Sequence, residues 1–319
     1  MSKTLKNSLP MLGVAALVLS AAPLMAKEPE SCQSVRFAEV GWTDVATTTA
    51  LTREVLEGLG YDTWTNTASV PLVYSGLRNG DFDIFLGNRM PTMASISDPY
   101  VDQGDVDRVA ANLHGAKYTL AVPQYVHEAG VTSVTDLAEH AEHFGQRLYG
   151  IEAGSDGNLI IQDIIDDEAF GLEEWHLIDS SEAGMLAELR SKVQSEEWMV
   201  FLGWEPHPMN VNFDIAYLEG ADDYFGPDRG RETVYTNTRA GYVEECANVG
   251  TLLKNLEFTL EMENRLMSAI LDEGKEPRDA ARAYLRKHPD VLKQWLDGVS
   301  AREGGNGLKA VRSALDIEG

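Results

Sequence analysis

Residues 35–40 (VRFAEV) alternate apolar and polar positions and end at a Gly-Trp-Thr-Asp turn, which predicts a short half-buried strand. Asp44 is placed to cap a following helix in which Leu51, Val55 and Leu59 share one face, with Gly58 and Gly60 closing it. Residues 81–86 (DFDIFL) alternate again, with Phe82, Ile84 and Leu86 on one side. Residues 118–122 (YTLAV), 148–151 (LYGI) and 199–202 (MVFL) are further short apolar runs bounded by Gly or Pro. Amphipathic stretches at 158–168 and 181–194 lie between them, and beyond Tyr242 the chain reads as helical over 249–271, 277–287 and 289–296. Strands alternating with helices predict an α/β fold with parallel sheets. There is no internal repeat, low-complexity segment or long flexible linker.

Residues 1–26 fall outside this pattern. Lys3 and Lys6 precede an uncharged apolar run over 11–22, and Ala26 offers a cleavage point before Lys27. That is the layout of a secretory signal peptide, and the run is too short to span a bilayer. The expected product is exported and soluble. In an oxidising compartment the two cysteines, Cys32 and Cys246, are expected to pair with each other rather than to bind a metal.

Charge narrows the function. The 319 residues carry 26 Lys+Arg against 51 Asp+Glu, a net charge of −25, which disfavours binding to a phosphate backbone. With 44% hydrophobic residues the chain has material for a substantial core, so a disordered acidic tail is excluded. Trp64, Trp175, Trp198 and Trp295 read as core residues.

Candidate chemistry gathers just past the carboxyl ends of four predicted strands, where open parallel sheets bind ligands. Trp42 and Asp44 follow the first strand, Arg89 follows 81–86, Ser155 follows 148–151, and Trp204 follows 199–202. Trp42 and Trp204, with Tyr118 as a third face, suit an aromatic cage for a tertiary or quaternary ammonium group, which hydrogen-bonds poorly and is attracted to ring faces. Asp44 would place a carboxylate near such a cation.

Several longer stretches resemble the periplasmic choline-binding proteins of ABC importers, within the wider glycine betaine/choline substrate-binding family. They are GWTD at 41–44, SVPLVYSGLRNGDFDIFLGN at 69–88, MPTM at 90–93 and AKYTLAVP at 116–123. YGIEAG at 149–154, VFLGWEPHPMN at 200–210 and VYTNTRAGY at 234–242 continue the likeness. The resemblance implies a two-lobed periplasmic binding protein fold (type II), placed here at 32–115 plus 213–319 and 116–212, with the ligand clamped between lobes. It implies no catalysis, no cofactor and no metal. The expected partners are a small quaternary ammonium ligand and the permease and ATPase subunits of a transporter, with the protein itself a periplasmic monomer. Trp42, Tyr118 and Trp204 match cage aromatics, Asp44 matches the acidic residue beside the ligand, and Cys32 and Cys246 match paired positions.

Two departures leave the ligand open. Arg89 stands where such proteins have a fourth cage Trp, and Ser155 where they have an Asn for the choline hydroxyl. A guanidinium facing the cage repels a cation, by about 3 kcal/mol at ~6 Å and an effective dielectric near 20. Arg89 escapes that by pairing with Asp44 or by turning outward. Alternatively Arg89 and Ser155 receive the acid group of a zwitterion such as glycine betaine or carnitine. A weaker alternative is a serine hydrolase: AGSDG at 153–157 is one residue short of a nucleophile elbow, and nothing ties a His to Ser155.

Overall fold

The structure, a computed structural model, describes residues 28–317, and the expected leader at 1–26 lies outside them. Nine strands are present among these residues: β1 (Ser34–Glu39), β2 (Asp62–Thr67), β3 (Ile84–Met90), β4 (Val106–Pro123), β5 (Arg147–Tyr149), β6 (His176–Ile178), β7 (Val200–Glu205), β8 (Ile215–Tyr217) and β9 (Arg231–Arg239). They order as β2-β1-β3-β9-β4-β7-β5-β6, with β8 alongside β4.

The α/β class is as expected, but the sheet is mixed rather than parallel. β1 runs parallel to β2 and β3, and β5 runs parallel to β6 and β7. Between these two parallel halves stand β4 and β9, antiparallel to each other and to their outer neighbours. The 18-residue β4 spans both halves: it pairs with β9 from Val106 to Lys117 and with β7 from Lys117 to Ala121. A chain that passes between two halves and returns must run its crossing strands in opposite senses, which a local reading of strand signals cannot reveal.

Two apolar cores flank this spine. One gathers Phe37, Leu51, Leu56, Leu253, Met262, Leu285 and Trp295 around helices Thr43–Leu59, Ala247–Asn255, Leu260–Leu271 and Pro277–Lys287. The other gathers Leu148, Ile161, Trp175, Leu189, Phe201 and Phe225, and also Trp42, Tyr118 and Trp204. Cys32 and Cys246 are disulfide-bonded and fully buried in the first core, 214 positions apart.

Local differences have local causes. The expected helix 249–271 is two helices, because Phe258 N–H donates to the Asn112 carbonyl (2.7 Å) and its ring packs edge-on against Trp295. Thr259 then caps the second helix at Met262 N (3.1 Å). Trp64 is 61% exposed, not a core residue: β2 is the sheet's edge, and its inward position is Thr63. Asp44 is not the N-cap of helix Thr43–Leu59; Trp42 holds that place with extended backbone, and Asp44 sits in the first turn.

Candidate functional site

Trp42, Asp44, Arg89, Tyr118 and Trp204 line one small cavity together with Ile151, and all six residues are almost fully buried. Strand register sets two of its walls. Tyr118 in β4 stands opposite Trp204 in β7, and their rings meet edge to face with centroids 6.2 Å apart. Two glycines make room for the tyrosine. A Cβ on Gly157 would lie 2.1 Å from the Tyr118 hydroxyl, and one on Gly230 would lie 2.0 Å from the Tyr118 carbonyl oxygen. Trp42 forms the third aromatic wall, its indole Nε1 donating to Glu152 Oε1 (2.7 Å). Arg89 and Trp204 lie within the last residues of β3 and β7, slightly earlier than the loop positions expected for them.

Asp44 leads helix Thr43–Leu59 into the cavity, where one carboxylate oxygen accepts from Val45 N (2.7 Å) and the other from Arg89 Nη1 (2.8 Å). Glu182 does the capping expected of Asp44, accepting from Thr43 N (2.8 Å) and from the Thr43 hydroxyl (2.5 Å). His207 Nε2 lies 3.3 Å from the same Glu182 carboxylate.

Arg89 is held on every side. Its Nε donates to Glu232 Oε2 (2.7 Å), its Nη1 to Asp44, and its Nη2 to the backbone carbonyls of Lys117 (3.3 Å) and Glu205 (3.4 Å). The guanidinium carbon stands 5.6 Å from the centre of the Tyr118 ring. These bonds engage four of its five N–H donors. Burial opposes its charge, but Glu232 and Asp44 outweigh burial and raise its pKa. Burial pushes Asp44 up, only partly offset by Arg89, and pushes Glu232 up to about 7. Glu263, from helix Leu260–Leu271, is raised well above its ordinary value by burial and then by Asp44.

Thr92 completes the network. Its hydroxyl contacts both Asp156 Oδ2 (2.7 Å) and Glu232 Oε1. One hydroxyl hydrogen serves only one of these two acceptors at a time. Asp44, Asp156 and Glu232 surround one guanidinium, with Glu152 on Trp42 and Glu182 on Thr43 nearby, so carboxyl groups outnumber cations around the cavity. A wall of aromatic faces with carboxyl groups in excess is chemically suited to an organic cation.

Ser155 is absent from the cavity wall. It is fully buried and caps helix Asp156–Asp166, its Oγ accepting from Asn158 N (3.3 Å). Glu232, Thr92, Asp156, Glu152 and Glu182 were not singled out in the sequence. The signal for Glu232 was an Arg inside the apolar strand IFLGNRM, which demands a buried counter-ion, but choosing it among 51 acidic residues requires the β3–β9 pairing.

Comparison with known proteins bears on this arrangement. Residues 33–287 match the model of the family described as the substrate binding domain of ABC-type glycine betaine transport systems. A solved ABC-transporter choline binding protein in complex with choline is 49% identical, with a TM-score of 0.89, covering 90% of this chain and 100% of its own. The same kind of protein in an unliganded semi-closed conformation is also 49% identical, with a TM-score of 0.83, covering 90% of this chain and 99% of its own. An "uncharacterized protein ORF1" of Chromohalobacter salexigens is 70% identical over 127 residues, 40% of this chain and 82% of its own length. The mixed α/β fold is that of type II periplasmic binding proteins. With four fifths of its length matched, the chain belongs to the family of substrate-binding domains of ABC-type glycine betaine transport systems, proteins that bind a solute for transport and carry out no catalysis.

Proposed function

We propose that this protein captures choline, or a closely related quaternary ammonium cation, for an ABC importer. The observation that carries the reading is the state of Arg89. Its charge is met by Glu232 and Asp44 and its donors are engaged by the protein, so the cavity offers aromatic faces and excess negative charge rather than an anion receptor. Arg89 and Ser155, the groups named for a zwitterion's acid group, are both bonded within the protein. Trp42, Tyr118 and Trp204 then bind the trimethylammonium group, and Asp44 supplies charge beside it. The Tyr118 hydroxyl, buried and without a partner among the described groups, is available to a ligand hydroxyl.

The proposed lobes are 28–116 with 231–317, and 117–230. A return crossing later than residue 213 is supported by β8, which pairs with the end of β4, and by Glu219, which bridges to Ser133. Ligand contacts from both lobes favour the closed form, which docks on a membrane permease served by ATPase subunits. On this reading the mature protein works as a monomer in the periplasm, after removal of residues 1–26.

Calorimetric titration with choline, glycine betaine, carnitine and trimethylamine oxide tests the reading. Choline is expected to bind most tightly. Tighter binding of glycine betaine or carnitine, or no binding of any of the four, would refute it.

A further inference from the structure

Arg89 is a buried cation in the wall of a cavity that suits a cation, and it has two acidic partners where one would neutralise it. The two acids are not equivalent. Asp44 lines the cavity, whereas Glu232 lies behind Arg89, almost fully buried and absent from the cavity wall. If Asp44 alone balanced Arg89, the cavity wall would be neutral and a bound cation would find no unspent charge. A second acid behind the guanidinium removes that difficulty.

We infer that Glu232 is the specificity-determining residue of this site: by holding Arg89 from behind, it cancels the arginine's repulsion and leaves the Asp44 charge to a cationic ligand. The inference rests on the cation-capture reading above and names the residue that makes it compatible with Arg89. The hydrogen bonding fits this division. Glu232 spends one oxygen on Arg89 Nε at 2.7 Å and the other on Thr92, which reaches on to Asp156 Oδ2 at 2.7 Å. Thr92 and Asp156 thereby fix the Glu232 carboxylate so that it cannot turn away from Arg89. The remaining charged groups around this centre are spoken for. Lys117 Nζ pairs with Glu205 (3.2 Å), Glu152 accepts from Trp42, Glu182 faces Thr43 and His207, and Glu263 is almost fully buried.

Without the Glu232 charge, Arg89 is balanced by Asp44 alone, and a cationic ligand meets one negative charge fewer. At ~9 Å, since Glu232 lies behind Arg89, and an effective dielectric near 20, that loss lowers choline affinity by roughly twentyfold. A zwitterion suffers less, because its carboxylate gains from the same loss. The pocket then moves from selecting a bare cation towards accepting a zwitterion.

The experiment is calorimetric titration of the full mature protein with choline and with glycine betaine, for wild type, Glu232→Gln, Glu232→Asp, Arg89→Met and the Arg89→Met/Glu232→Gln double variant. Glutamine keeps the shape and still accepts from Arg89 and donates to Thr92, so Glu232→Gln is expected to fold, as its melting curve will report. The choline-to-betaine affinity ratio is expected to fall at least tenfold in Glu232→Gln and to stay near wild type in Glu232→Asp. In the Arg89→Met background, adding Glu232→Gln is expected to change the ratio less than threefold. An unchanged ratio in Glu232→Gln, or an equal change with Arg89 absent, overturns the inference. A wild-type protein that binds neither ligand overturns the cation-capture reading instead, so the two failures are distinct.

Discussion

Replacing Glu182 with Ala removes a carboxylate that closes the first turn of helix Thr43–Leu59 from a distant part of the chain. Both residues are buried, and the carboxylate accepts from Thr43 N at 2.8 Å and from the Thr43 hydroxyl at 2.5 Å. Hydrogen bonds to a charged group contribute about 1.5–3 kcal/mol net, and a carboxylate at a helix N-terminus about 0.3–1 kcal/mol more. The Trp42–Glu152 and Thr92–Asp156 bonds join the same two parts of the molecule, so on the proposed lobe division Glu182 belongs to a set of contacts made only when the lobes are together. In an open form, water solvates Thr43 N and the Glu182 carboxylate separately, and the contact contributes nothing. The loss in Glu182→Ala therefore falls on the closed, ligand-holding state. Taking about 2–3 kcal/mol, choline affinity should drop by about 30- to 150-fold. The unliganded protein should melt within about 2 °C of wild type. Titration calorimetry and scanning calorimetry on the same samples measure both quantities. Unchanged affinity, or a loss of unliganded stability as large as the loss of affinity, would refute the reasoning.

Two further predictions concern pH and covalent structure. Burial pushes Glu232 up to about 7, and a bound cation favours its ionised form, so protonation should expose the Arg89 charge. Choline affinity is then expected to rise with pH through about 7, level off above it and fall on the acid side, and a flat profile between pH 5.5 and 8.5 would contradict this. Replacing Cys32 and Cys246 together with Ser should destabilise the protein by up to about 5 kcal/mol in the chain-entropy account. Choline affinity should stay within twofold, because both cysteines lie in the core that holds none of Trp42, Tyr118 and Trp204, and a parallel loss of affinity would count against that separation.

The parts of the fold legible in the sequence are those whose burial is written in apolar side chains. β1 and β7 and helices Thr43–Leu59 and Pro277–Lys287 fall close to where the pattern places them. β2 (DTWTNT) and β9 (RETVYTNTR) are polar at alternate or nearly all positions, so their strand character comes from pairing rather than from hydrophobicity. β4 was visible only in its last third, because Gly115 and the polar residues before it read as a boundary, whereas the strand runs through them. At the site, the aromatics and Asp44 were legible because they follow or end strand-like runs. The helix-capping place of Ser155 was not legible, because a helix-capping serine and a ligand-facing serine look alike in a Gly-rich turn. The charge balance was not legible at all: Glu232 reaches Arg89 from a strand 143 positions away.

The central claim is that this cavity reads a methylated nitrogen by its charge, through ring faces and a carboxylate. Choline and its uncharged carbon isostere, 3,3-dimethylbutan-1-ol, have the same shape and the same hydroxyl. Side-by-side calorimetric titration is expected to show choline binding at least about 100-fold more tightly, since each desolvated cation–π contact contributes about 2 kcal/mol and the isostere makes none. Equal affinities for the two would mean that the pocket recognises shape alone, and would contradict the account.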